Sequence, residues 1–315
     1  MGSCFGDSGK RICIVTAMLL CNLPHIGGAS EHLLSFVIPC YNGARTIREA
    51  VRSIVAQRAG LKVPFEIVCC DDGSTDDSWK VLNSLRRRIP ELRLLRHQKN
   101  RGGSAARNTA IAHAKGDLIF MLDADNALYD SVQTLIDAMD ARGADVMAPG
   151  HVVFAERGVG VTGHWTYSDV PCLFRLADLL CWPDNPAADG NYLFSKRSWQ
   201  VSGGYPEGKV LDTLIFGYRQ AAHGFYLHVL SDFRIWHYVT PNSYYTRGAA
   251  AGLLDREWIE AVHVYLDRLT PRSQQLITNA VEHGFPSGFD YVAAISSGYA
   301  ECSDPSESGE AAATL

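Results

Sequence analysis

Short apolar runs alternate with stretches whose apolar positions recur every three or four residues through the first half of the chain. Residues 33–39 are a short apolar run bounded by Pro and Gly, the pattern of a buried strand. After Asn42-Gly43, Ile47, Ala50, Val51, Ile54 and Val55 form a helical stripe. Residues 65–70 predict a second strand ending in Asp71-Asp72-Gly73-Ser74-Thr75-Asp76, whose Ser, Thr and Asp suit the N-cap of a helix through Trp79, Leu82 and Leu85. Residues 92–95 predict a third strand. The turn Gly102-Gly103-Ser104 then opens a helix carrying Ala106, Ala110, Ile111 and Ala114, which Gly116 stops. Residues 118–122 predict a strand running into Asp123-Ala124-Asp125-Asn126, followed by a helix over 131–141 and a strand over 145–154. This alternation, with strands apolar on both faces, predicts an α/β fold built on a doubly wound, mainly parallel sheet. Ligands of such sheets bind outside the carboxyl ends of the strands. Here those ends carry Tyr41-Asn42, Asp71-Asp72 and Asp123-Ala124-Asp125, three polar clusters pointing to one rim.

Beyond residue 155 the pattern loosens into aromatics and loops. Gly203-Gly204-Tyr205, a helix over 212–222, a short strand over 225–230 and one helical stretch over 255–280 (Trp258, Val262, Tyr265, Leu266, Leu269) follow. The chain therefore divides into a leader (1–32), a first half of the main domain (33–150), a second half (151–250), a helical extension (251–300) and a small, polar, disordered tail (301–315). The leader stays unassigned: residues 12–23 behind Lys10-Arg11 have the apolar core of a signal peptide but no Ala-x-Ala site, and a loose surface leader reads equally well. No apolar stretch reaches the roughly 18–20 residues of a membrane span.

At 315 residues, 47% of them hydrophobic and 20% charged, the chain can bury a core without staples, which excludes wholesale disorder and fibrous classes. The net charge of −5 argues against a nucleic-acid binder. The basic residues are unevenly placed, however: Arg86, Arg87, Arg88, Arg93, Arg96, Lys99, Arg101 and Arg107 face a single acid, Glu91, over that stretch. This strip suits one anionic contact or, for Arg86–Arg88, a solvated helix face. Nine scattered Cys, with no CxxC, argue against a disulfide framework or zinc site and point to a reducing compartment. Cys69 and Cys70 lie in an apolar run, where they act as small hydrophobes.

Three clusters carry chemistry. Asp123 and Asp125, two residues apart where a buried strand ends, can both face a hard cation such as Mg²⁺ or Mn²⁺, or form a plain polar turn. Asp71 and Asp72 can accept imide or ribose donors, while their neighbours cap the next helix. The stretch Asn100–Asn108 joins close backbone approach at its glycines to a helix N-terminus that favours anions, with Arg107 about one turn in. Arg107 can pair with a diphosphate or with an acidic loop.

Taken in order, these motifs resemble the nucleotide-binding half of family-2 inverting glycosyltransferases of the GT-A fold. The resemblance rests on residues 36–42 (FVIPCYN), 71–76 (DDGSTD), Asn100-x-Gly102 with Ala106-Arg107-Asn108, and Asp123-Ala124-Asp125, and continues weakly through Gly203-Gly204-Tyr205 and Asp212. It implies a base pocket lined by Pro39, Tyr41, Asn42 and Asp72, usually for uracil, with Asp71 close by. It also implies Arg107 near the base or diphosphate, Asp123 on the ribose or metal, and Asp125 on the metal. A Glu-Asp pair supplies the catalytic base in many relatives; here it reads Leu211-Asp212, which keeps Asp212 as the candidate base, with Asp184 and Asp189 as substitutes. The position after the DxD, often acidic, is Asn126. His237 would complete the metal shell as in some GT-A enzymes, or pack between Trp236 and Tyr238. Trp165, Tyr167, Trp182, Tyr192 and Trp199 lie on the acceptor side, with Trp182 the better platform and Trp199 core. Residues 244–248 would belong to a closing lid.

These expectations describe a metal-dependent, inverting transferase that moves a sugar from a nucleotide-diphospho-sugar, UDP-linked, to a hydroxyl on a glycan or lipid-linked glycan. Mn²⁺ or Mg²⁺ would be the cofactor. The implied setting is cytoplasmic, compatible with peripheral contact on the inner membrane face and with a homodimer. Two competing readings are a nucleotidyltransferase making a sugar nucleotide and a non-catalytic sugar-nucleotide sensor. The first would carry a Gly-rich basic loop after its first strand, which residues 40–44 do not supply.

Overall fold

The computed structural model describes residues 32–156, 159–166, 173–181, 190–238, 244–269 and 271–283. Its first half follows the predicted order: β1 (Leu34–Cys40), α1 (Ile47–Ala56), β2 (Phe65–Asp71), α2 (Ser78–Arg86), β3 (Leu92–Arg96), α3 (Gly103–His113), β4 (Leu118–Met121), β5 (Ala127–Leu128), α4 (Val132–Arg142) and β6 (Val146–Glu156). The second half adds β7 (Gly160–Thr166), β8 (Leu173–Phe174), α5 (Leu176–Cys181), β9 (Leu193–Ser195), α6 (Lys196–Val201), α7 (Asp212–Ala222), β10 (Leu227–Tyr238), α8 (Tyr244–Ala250), α9 (Leu253–His263) and α10 (Pro271–His283).

One sheet runs β3-β2-β1-β4-β9-β6-β10-β5, with β7 paired to β6 and β8 to β10. The long ladders β3-β2-β1-β4 and β6-β10 are parallel. Antiparallel pairing enters through β5, β7, β8 and β9. Successive side chains of a strand point to opposite faces, and β1 shows the consequence. Phe36 and Ile38 join a cluster with Ile47, Val51, Ile54, Leu82 and Leu135, while Val37 joins one with Ala106, Ala110, Ile111, Phe216 and Val262. Both faces are therefore covered by helices, and the strands read as mainly apolar runs because neither face meets water; the buried exceptions Ser35 and Glu66 bond to each other across β1 and β2. Cys40, Cys69 and Cys70 are buried free thiols. Burial pushes Cys70 up to about 12, which leaves it an inert hydrophobe.

Several elements differ from the sequence expectations. The strand expected over 225–230 continues to Tyr238, because a register shift between Leu230 and Arg234 absorbs the polar Ser231-Asp232. Gly150 lies opposite that irregularity, where a Cβ would sit 2.4 Å from the Ser231 Cα, so the two backbones meet closely only with glycine there. His237 is consequently inside β10 rather than beyond the strand. The single helical stretch over 255–280 divides into α9 and α10. A short 3-10 turn at Leu266–Arg268, an extended Leu269 and the helix-starting Pro271 separate them. Strands β5 and β9 are two and three residues long and carry too little pattern to read. No helix among the described residues is long and apolar enough to cross a membrane.

The basic strip separates into individual partnerships. Arg86, Arg87 and Arg88 are exposed at the end of α2, the solvated-face reading. Arg93 pairs with Glu66, Arg96 with Asp71 and, more loosely, Arg101 with Glu207.

Candidate active site

The carboxyl ends of β1, β2 and β4 do meet at one rim, joined by side-chain bonds between their loops. Asn42 takes a left-handed conformation (φ 51°), which Asn tolerates better than most residues. Its Oδ1 accepts the N–H of Thr75 (2.9 Å) and Asp76 (3.3 Å), and its own N–H donates to Ser74 Oγ (2.9 Å). The loop after β1 is thereby tied to the loop after β2, leaving Tyr41 43% exposed at the rim beside the half-buried Pro39.

Asp72 departs from the expected contact with a base. It is 1% exposed. It accepts the N–H groups of Arg101 (2.9 Å) and Gly102 (2.8 Å) and lies 2.6 Å from His97 Nδ1. His97 Nε2 in turn meets Thr109 Oγ1 at 2.9 Å. A carboxylate so occupied shapes the Gly-rich loop from inside rather than presenting itself to a ligand. Asp71 is also buried, its Oδ2 lying 2.9 Å from Arg96 Nε, while Arg96 covers the Trp79 ring at 4.9 Å.

Arg107 stands at the centre. One turn into α3, its Nη2 donates to Asp123 Oδ1 at 2.8 Å and its Nη1 to Asp212 Oδ2 at 2.6 Å, with the Tyr205 ring 5.5 Å below the guanidinium. Ser104, also on α3, donates to the same Asp212 oxygen at 2.6 Å. Asp212 opens α7 and is 5% exposed. Burial raises its carboxyl above the ordinary range, and Arg107 opposes that shift without cancelling it. The DxD turn and the candidate base, 89 positions apart in the sequence, thus share one cation.

The DxD turn is held on both sides. The Asp123 N–H donates to Asn191 Oδ1 (2.8 Å), and the Asn126 N–H closes the turn on the Asp123 carbonyl (3.0 Å). Asn126 is buried; its Oδ1 accepts the Tyr238 N–H, and its Nδ2 lies 3.4 Å from His237 Nδ1. The amide in place of an acid therefore fastens the DxD turn to β10. Burial, then the like charge of Asp123, push Asp125 up to about 6, while His237 and Arg107 pull it the other way. Two neighbouring carboxylates, with an imidazole nearby, make a donor set that fits Mn²⁺ or Mg²⁺. Among the described residues no three His, Cys, Asp or Glu side chains form a ready-made cage, so a metal here would need ligands from a bound phosphate.

Residues 203–205 support the site from below. Asn108 Oδ1 accepts the Tyr205 N–H (2.9 Å) and Trp199 Nε1 (3.1 Å), while its Nδ2 donates to the Tyr205 carbonyl. Gly204 has φ +71°, and a Cβ there would stand 2.8 Å from Asn108 Oδ1. Trp199 is half-buried and packs against the core. Tyr192 is fully buried, its hydroxyl on Gln220, which removes it from the acceptor platform. Trp165 remains exposed, edge-on to Phe154 at 4.7 Å, with His237 5.2 Å from the same Phe154 ring. Tyr167, Trp182, Asp184, Asp189, the leader over 1–31 and the tail lie outside the described residues. His32 is described, and it bridges Asp117 and Asp140 at the opposite end of the sheet.

Comparison with known proteins now decides the family. A model of glycosyl transferase family 2 matches residues 35–199, more than half of the chain. The protein belongs to glycosyl transferase family 2. Among curated relatives, the glycosyltransferase GlyG of Streptococcus pneumoniae is 33% identical over 128 residues, 40% of this chain and 41% of that protein. The succinoglycan biosynthesis protein ExoU of Rhizobium meliloti is 34% identical over 144 residues, 46% and 40% of the two chains. The chain thus spans less than half the length of these relatives. Among solved structures, S. aureus TarS (residues 1–349, with UDP-GlcNAc) superposes with a TM-score of 0.53 at 19% identity, over 78% of this chain and 70% of that one. The mannosyltransferase PcManGT of Pyrobaculum calidifontis, with GDP-Man and Mn²⁺, gives 0.51 at 18% identity over 91% and 76%. These likenesses establish the GT-A fold of this family-2 protein.

Ser104, Asn191 and His97 were not singled out in the sequence. Ser104 sits in the Gly-rich turn and was within reach of motif reading; Asn191 and His97 act across long sequence separations and carry no local signal.

Proposed function

We propose that the protein transfers a sugar from a nucleoside-diphospho-sugar, with uridine as the favoured base, to a hydroxyl of a glycan or lipid-linked glycan, inverting the anomeric centre. One observation carries this reading: Arg107 holds both Asp123, of the DxD turn, and Asp212, so that donor-binding and proton-accepting groups face one space. In the step, the acceptor oxygen bonds to the anomeric carbon and the carbon–phosphate oxygen bond breaks. The hydroxyl proton passes to the Asp212 carboxylate, and the nucleoside diphosphate leaves with the bond's electron pair. A bound Mn²⁺ or Mg²⁺ would supply charge neutralisation on that leaving group, held by Asp123 and Asp125 with His237 alongside. Tyr41 offers an exposed ring to the base, while Asp72 fixes the Arg101-Gly102 backbone beneath the diphosphate. The neighbours solved with UDP-GlcNAc and with GDP-Man and Mn²⁺ support this donor class and metal.

The test is a donor screen following nucleoside-diphosphate release from UDP-, GDP- and TDP-sugars with Mn²⁺. Release from a UDP-sugar with wild type, and its loss at the same Mn²⁺ concentration in Asp125→Asn, is the expected result. Pyrophosphate release from a nucleoside triphosphate and a sugar phosphate would instead show a nucleotidyltransferase. Binding of UDP-sugars without turnover, with or without acceptor, would show a sensor.

The pH dependence of kcat follows from Asp212. A base acts deprotonated, and burial raises this carboxyl, so activity falls as pH drops through a value above the ordinary ~3.9 of an aspartate. With saturating donor and Mn²⁺, the acid limb of kcat lies above that value. A limb at or below it counts against Asp212 as the base.

A further inference from the structure

The segment leading into α7 lacks a cap of its own. Leu211 is the N-cap residue and offers no side-chain oxygen, although the N–H groups at a helix start need acceptors. The acceptor comes from α9. Glu257 is buried, and its Oε2 accepts the N–H of Val210 at 2.6 Å and of Leu211 at 3.0 Å. One turn further on, Glu260 pairs with Lys209 at 2.9 Å. Three consecutive residues before Asp212 are therefore held by one face of α9. That helix is itself anchored by fully buried Ile259 and Val262 and by Trp258 Nε1, which donates to the Tyr218 hydroxyl on α7. A glutamate is seldom buried without partners, and here two backbone N–H groups are those partners.

We infer that Glu257 is a positioning residue for Asp212, an inference that rests on the reading of Asp212 as the base. Ser104 and Arg107 orient the Asp212 carboxylate, while Glu257 holds the backbone immediately N-terminal to it. Negative charge at the start of α7 is also the sign its dipole favours. A displacement of about 1 Å at a reacting group can cost about 100-fold in rate, which sets the expected scale.

The experiment compares Glu257→Ala, Glu257→Gln and wild type as the full chain. Glu257→Ala should exchange the amide hydrogens of residues 210–212 roughly 10–100-fold faster and lower kcat about 100-fold. Its donor KM and its affinity for UDP with Mn²⁺ should not change. Glu257→Gln keeps one acceptor oxygen and should recover most of kcat. If the alanine variant does not fold, Glu257→Asp carries the same comparison, its shorter side chain lowering kcat while leaving donor KM alone. Wild-type kcat in the alanine variant, or a parallel loss of kcat and donor affinity, overturns the inference. Should wild type turn over no sugar nucleotide, the transferase reading fails separately, and unchanged exchange at 210–212 still overturns the role of Glu257.

Discussion

Asp212→Asn lowers kcat for sugar transfer about 10³-fold, within the usual worth of a general base, while nucleotide-sugar binding persists. The amide is nearly isosteric, and its oxygen still accepts from Ser104 and Arg107, so the site keeps its shape. What it loses is the proton acceptor and one negative charge beside Arg107. In the proposed reading the donor is held by Tyr41 and the DxD turn rather than by Asp212, so donor KM changes little. Steady-state kinetics with the donor found by the screen, together with calorimetric titration of UDP and Mn²⁺, checks both halves. Turnover near that of wild type removes Asp212 from the base role and returns Asp184 and Asp189 to consideration.

Removing Arg107 has the largest expected effect on stability. Its side chain is 12% exposed, and it is shared by Asp212 (7%) and Asp123 (22%). Taking away one member of a buried ion pair leaves uncompensated charge, at about 3–5 kcal/mol. Two carboxylates lose their partner here, so Arg107→Ala belongs at the upper end of that range. The sign of its pH dependence also follows. Burial raises the Asp212 carboxyl and Arg107 opposes that shift, so without Arg107 it binds a proton still more readily than in the unfolded chain, and the variant loses less stability at pH 5 than at pH 8. Urea unfolding at the two pH values measures this, and an equal or larger loss at pH 5 would contradict it. Adding Asp123→Asn and Asp212→Asn to an Arg107→Met background should restore much of the stability, because the charges then vanish together.

Legibility varied with the range of the physics involved. Strands β1, β2, β4 and β6 were readable because a strand covered on both faces is apolar at most positions, and that demand is local. Helices α1 to α4 were readable for the same reason, through one apolar stripe each. The DxD turn, the Asn42 turn and the Gly-rich opening of α3 were visible as residue types at strand ends. Short strands β5 and β9, the bulge that extends β10 and the break between α9 and α10 were not. They depend on which neighbours arrive, not on local periodicity.

By itself, the sequence determined the alternation of the main strands and helices in the first half, the rim where polar loops collect and the family, since buried strands and backbone turns constrain residue type within a few positions. Only the tertiary structure decided who pairs with whom. Asp72 became the inner brace of the Gly-rich loop, Arg107 the link between Asp123 and Asp212, Asn126 the tie to His237, and Glu257 the support ahead of α7. Each of these is a charge or amide satisfied by a group remote in the chain. Burial compels such a group to find a partner, yet nothing in the neighbouring residues records which one.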